Sequence, residues 1–107
     1  MARTRLGRTQ DPTLLVLTSL TGGPKHGYAL MRDIEDLAGL TLGPGTLYGV
    51  LARLEEEGLV EPLPTDDRRQ PYRITGLGAT VLRERLQTLT RVAEVGLARL
   101  GTRPQWT

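Results

Sequence analysis

The chain lacks cysteine and phenylalanine altogether, carries a single histidine and a single tryptophan, and has only three tyrosines. Without cysteine there is no disulfide framework and no thiolate zinc site. With His26 as the only imidazole, neither a histidine metal cluster nor a nucleophile paired with a histidine base can be assembled at a second place. Gly43-Pro44-Gly45 resembles a G-x-G phosphate loop only superficially, because no strand leads into it. Catalysis, metals and cofactors are therefore not expected. No apolar run reaches the roughly 18 residues needed to cross a bilayer. The basic start, Met1-Ala2-Arg3-Thr4-Arg5-Leu6-Gly7-Arg8, is not followed by the apolar stretch of a signal peptide. A soluble, cytoplasmic protein without a membrane partner is the expectation.

A chain of 107 residues, 38% hydrophobic, supports one domain with a small core. With no phenylalanine, leucine and valine must fill that core. Small leucine-rich domains often extend their core by pairing with a second copy. The formal net charge is only +2, but its distribution is uneven. Lys25 is the one lysine among 14 basic residues. Arg3, Arg5 and Arg8 precede the first acid, and Arg68, Arg69 and Arg73 cluster near residue 70. Acids gather instead in Asp33-Ile34-Glu35-Asp36 and Glu55-Glu56-Glu57. Guanidinium groups grip phosphate oxygens with paired hydrogen bonds, so segregated arginine points toward a polyanion. A genome-wide preference for arginine explains the Arg:Lys ratio, though not the clustering.

Periodicity predicts a first helix over Thr13 to Thr21, with Leu14, Leu15, Leu17 and Leu20 inward, capped by Asp11 or Thr13 and stopped by Gly22-Gly23-Pro24. A second runs from Tyr28 to about Ala38 with Tyr28, Met31, Ile34, Leu37 and Ala38 on one face, ending at Gly39. A third opens at Pro44, buries Leu47, Val50, Leu51 and Leu54, and stops at Gly58. Two short strands follow, Leu59 to Leu63 and Tyr72 to Thr75, around a charged loop. Pro62 confines the first of them to a sheet edge. The last helix spans about Gly76 to Leu100, with Thr75 as its cap. Leu82, Leu86, Leu89, Ala93, Gly96 and Leu100 are spaced 4-3-4-3-4, a heptad seam that one small domain cannot bury alone.

Helix, helix, helix, hairpin and long helix is the layout of a winged helix-turn-helix. The fold class is mainly α with a small β-hairpin wing. Residues 1–12 form a basic arm, 13–75 the DNA-binding domain, 76–100 a dimerisation helix and 101–107 a tail. In such a domain the third helix enters the major groove by its N-terminal half. Its inner face is occupied, leaving Gly45, Thr46, Gly49 and Arg53 outward and Tyr48 at the boundary. Thr46 can bond a phosphate or base edge and touch a thymine methyl. Gly49 lets the backbone approach DNA. Alternatively, Tyr48 is a half-buried core aromatic and Gly49 incidental. Arg68 and Arg69 suit a wing in a minor groove, the alternative being a solvated turn held by Asp66–Arg69 pairing. Lys25 and His26 stand where a phosphate would meet the start of the second helix.

His26-Gly27-Tyr28, Pro44-Gly45-Thr46-Leu47-Tyr48 running through Leu51 and Leu54 to Gly58-Leu59-Val60, and Tyr72-Arg73-Ile74-Thr75 with Gly78 and Leu82 together strongly resemble the PadR family, over about residues 14 to 83. The resemblance implies a winged-helix repressor of the short C-terminal type, dimeric through its last helix, often controlling detoxification, efflux or phenolic-acid genes. By position it implies DNA contacts from Tyr28, Thr46 and Tyr48, with Arg68 and Arg69 on the wing. Gly49 and Gly76 depart from its usual pattern, which carries a larger residue and an acid there. A homodimeric repressor on a palindromic duplex is thus the leading expectation. The low net charge and Gly49 favour the alternative, a winged-helix protein-interaction module without DNA binding. A small aromatic or cationic effector stacked on Trp106 is a further expectation.

Overall fold

The computed structural model describes residues 11–101. The basic arm up to Gln10 and Trp106 lie outside the described residues. Helix α1 (Pro12–Leu20) begins where Asp11 accepts a 2.9 Å hydrogen bond from the Thr13 amide, with proline at the first helical position. It buries Val16, Leu17 and Leu20, whereas Leu14 and Leu15, expected inside, are half-buried flanks. Ser19 is also buried, and its hydroxyl donates to Asp33 at 2.6 Å. Lys25 Nζ donates to the Ser19 carbonyl and lies 3.9 Å from the same carboxylate. This polar knot satisfies every group it buries and ties the first helix to the second.

Strand β1 (Lys25–His26) was not expected. Two residues are too short to show alternation, and only pairing reveals them. Helix α2 (Gly27–Ala38) is capped by His26, whose Nδ1 accepts from the Ala29 amide at 3.4 Å, and ends at Gly39 with φ 66°. Ile34 is buried and Met31 packs beside the core as expected, but Gly27 and Leu30 complete the buried face in place of Tyr28 and Leu37, which are 58% and 47% exposed. Helix α3 (Pro44–Glu56) buries the expected Leu47, Val50, Leu51 and Leu54. Gly58, at φ 78°, closes it with the Leu59 amide bonded to the Leu54 carbonyl at 2.9 Å.

Strands β2 (Val60–Pro62) and β3 (Pro71–Ile74) pair antiparallel, and β1 pairs with the other edge of β3, giving a sheet in the order β1-β3-β2. The hairpin is therefore part of a three-stranded sheet, with the proline-bearing β2 at its edge. Helix α4 (Gly76–Gly101) starts at Thr75, whose hydroxyl accepts from the Gly78 amide at 2.9 Å and donates to the Gly58 carbonyl at 2.7 Å. Gly78 is pressed against the Leu59 carbonyl: a Cβ there would also lie 2.9 Å from Ile74 Cγ1. Only Gly78 and Leu82 of α4 are buried. The remainder projects from the body and draws the molecule out to 59 × 31 × 20 Å. No helix among the described residues is long and apolar enough to cross a membrane.

Candidate nucleic-acid interface

The N-terminal half of α3 presents Gly45, Thr46, Tyr48 and Gly49 to solvent, while Leu47, Val50 and Leu51 anchor the same turns in the core. Proline at the first position and the Gly43 carbonyl, which accepts from the Leu47 amide at 3.0 Å, fix the helix start. Tyr48 is 48% exposed and crosses toward the first turn of α2. There His26, Gly27, Tyr28, Tyr48, Arg68 and Arg69 line one open cleft between two helix starts and the wing. Five of the expected contact residues thus meet at one place, from three separate stretches of sequence. A phosphate-bearing chain laid across it would meet a helix N-terminus, phenol hydroxyls and two guanidinium groups.

The wing itself is held from below. Gln70 Nε2 donates to the carbonyls of Leu63 and Pro71 at 2.7 and 2.8 Å, joining the two arms of the loop. At the tip, Asp67 accepts from the Arg68 amide at 2.6 Å, and its own amide donates to Thr65 Oγ1 at 3.0 Å. The acid is engaged with backbone, not with a guanidinium. Among the described residues the ion pairs are Lys25–Asp33, Arg73–Glu61 and Arg85–Asp11. The Asp66–Arg69 pairing considered from the sequence is not among them, and the side chains of Arg68 and Arg69 are exposed.

Three other expected contact residues lie outside that cleft and bond elsewhere in the chain. Lys25 sits half-buried in the knot with Ser19 and Asp33. Arg53 donates to Thr13 Oγ1 at 2.7 Å, bracing α3 against α1. Arg73 bonds Glu61 across the sheet through Nε at 2.9 Å, as their facing register allows. Gly27 and Gln70 carry no local sequence signal for the cleft. Outside that lining, the Arg32 guanidinium lies 5.8 Å from the Tyr28 ring centre. Tyr28 and Arg32 stand four residues apart on one helix, the spacing that brings side chains together. Beside the cleft, burial first, then the Glu55 carboxylate and Tyr48, raise the Tyr72 phenol above its ordinary pKa.

Along α4 the heptad seam divides. Leu82, expected on the dimer face, is 4% exposed and packs in the chain's own core. It packs there because the base of α4 lies against α1. Leu86, Leu89, Ala93 and Leu100 are exposed and Gly96 is half-buried. Val92, Val95 and Leu97 are exposed as well, widening the apolar surface beyond the seam.

Comparison with known proteins agrees with this architecture. The chain is 44% identical over 86 residues to an uncharacterized 37.1 kDa protein in transposon TN4556 of Streptomyces fradiae, covering 80% of this chain and 25% of that protein. It is 35% identical over 71 residues to the transcriptional activator GvpE2 of Halobacterium salinarum, covering 66% of this chain and 36% of that one. The chain thus spans between a quarter and just over a third of the length of these relatives. A crystal structure of a PadR family transcriptional regulator from Eggerthella lenta superposes with a TM-score of 0.77 at 31% identity, covering 92% of this chain and 88% of that one. The model of the transcriptional regulator PadR-like family matches residues 16–84, from the core of α1 through the sheet to the base of α4. The chain belongs to that family of transcriptional regulators.

Proposed function

We propose that this regulator binds a two-fold symmetric DNA operator as a homodimer and represses transcription from it. The observation that carries the reading is the convergence of α3, the start of α2 and the wing on one cleft whose arginines have no acidic partner among the described residues. Thr46 and the bare backbone at Gly45 and Gly49 lie toward the major groove. Tyr28, Tyr48, Arg68 and Arg69 hold the flanking phosphates and the minor groove.

The second copy follows from α4. Its exposed seam from Leu86 to Leu100 is centred on Ala93, with Gly96 small enough for close helix approach. An antiparallel pair centred there sets each Leu82 about 16 Å from the middle, at about 1.5 Å per residue, and so the two domain bases about 33 Å apart. Domains held apart in this way suit two major-groove half-sites one turn, roughly 34 Å, apart. A parallel pair would instead place both domains side by side. A small aromatic or cationic effector that releases the operator would enter the groove between α1 and α4, where Leu14, Val81 and Leu89 lie beside Asp11, Glu84 and Arg85.

Selection from random duplexes, followed by sedimentation of the complex, tests this reading. It predicts a palindromic site bound by two protomers, and reduced transcription from a promoter carrying that site. Selection of no sequence, together with capture of one protein partner at salt-independent affinity, would establish the interaction-module alternative. Increased transcription would give the regulator the opposite sign.

A further inference from the structure

We infer that Gly27 is a positioning residue for the interface: it keeps the first turn of α2 bare so that the Tyr48 phenol can lie on it. The inference rests on the DNA-binding reading. Gly27 is buried, and it is not among the glycines with positive φ, so backbone conformation does not demand glycine there. Space does. A Cβ on Gly27 would stand 2.7 Å from Tyr48 Cζ and 3.2 Å from Cε1, with Oη nearer still. A real Cβ does not tolerate such contacts, so one partner must move.

The partner that yields is the ring. Its hydroxyl end is the tip of a rotatable side chain, and Tyr48 is half exposed, so a modest change of rotamer removes the clash without disturbing the core. Leu47 and Val50, close by on the same helix, stay anchored. The consequence lies outside the fold. The displaced phenol leaves the cleft lined by His26, Tyr28, Arg68 and Arg69 and enters space that DNA would occupy. Gly27 therefore acts on the interface only through Tyr48.

A mutant cycle on the full chain tests this, with a duplex carrying the operator, affinity read by fluorescence anisotropy and folding by thermal unfolding. Gly27→Ala is expected to keep the fold and lose about tenfold in affinity, within the range of coupled neighbours. Tyr48→Ala should also weaken binding. Gly27→Ala added to Tyr48→Ala should then change nothing further, since there is no phenol left to displace. The Tyr48 ring proton resonances of the DNA-free protein should shift in Gly27→Ala while those of the body hold. Equal losses from Gly27→Ala with and without Tyr48, or unchanged affinity in Tyr48→Ala, would overturn the inference. If Gly27→Ala fails to fold, the comparison of the double variant with Tyr48→Ala still decides: a folded double variant that matches Tyr48→Ala supports it, and a weaker one overturns it. Wild-type protein that binds no duplex would instead overturn the DNA-binding reading, whereas an unmoved Tyr48 ring would overturn the positioning alone.

Discussion

Gly49 on α3 and Gly27 on α2 are glycines in opposite surroundings. A Cβ at Gly27 meets Tyr48, whereas a Cβ at Gly49 meets nothing within 4 Å. Gly49 sits inside α3 with ordinary helical backbone, where glycine is less favourable than alanine by about 1 kcal/mol. Gly49→Ala is therefore expected to raise stability by about that amount in thermal unfolding, while its methyl group, facing the groove, lowers operator affinity. A stability that falls instead would mean the protomer itself requires the glycine. Arg68 and Arg69 act by charge. Replacing both with alanine should weaken binding about equally across DNA sequences. It should also reduce the salt slope by about one for each phosphate that is no longer gripped. A sequence-dependent effect would make them base readers. Tyr72 gives a third test. Its folded-state pKa is raised by burial, then by Glu55 and Tyr48, so the folded protein holds the proton more tightly than the unfolded chain. Stability should fall as pH rises above about 10, the ordinary tyrosine value, and Tyr72→Phe should flatten that limb of the profile.

At the scale of elements, Thr75 and Gly78 join α4 to the end of α3. The Thr75 amide donates to the Leu59 carbonyl at 3.0 Å, its hydroxyl bonds Gly58, and Gly78 packs on the same turn. The obstacle at Gly78 is backbone, which cannot swing away as a tyrosine can. Gly78→Ala is expected to cost about 2 kcal/mol or more, measured by denaturant unfolding, in contrast to the mild effect at Gly27. The helices are legible in the sequence because caps and three- and four-residue spacing are local signals: Asp11, Pro44, Gly58 and Thr75 mark ends within a residue or two of those observed. The face of α2 is legible at Ile34 and Met31 but not at Leu30, because Tyr28 and Leu37 fit the same helical period and only packing against α1 and α3 leaves them outside. Strand β1 and the polar knot around Ser19 depend on partners distant in sequence, so no local pattern announces them. The cleft is legible by residue type in Tyr28, Tyr48, Arg68 and Arg69. It is not legible at Lys25, Arg53 and Arg73, whose side chains are held by neighbours the sequence does not reveal.

In the whole molecule, two surfaces lie at opposite ends of one rigid path. The apolar face of α4 stands clear of the body, and its base is locked to the turn that ends α3. Pairing through α4 would therefore fix the relative placement of the two α3 helices. Leu86→Asp combined with Leu89→Asp should yield a folded monomer by sedimentation, with operator affinity reduced far more than in the double wing-arginine variant, because one half-site alone is held. The most direct test of the central claim is footprinting of the wild-type protein on DNA upstream of its own gene at two salt concentrations. A dimeric regulator of this design should protect a two-fold symmetric site whose occupancy falls steeply as salt rises. Protection without symmetry, or binding indifferent to salt, would contradict it.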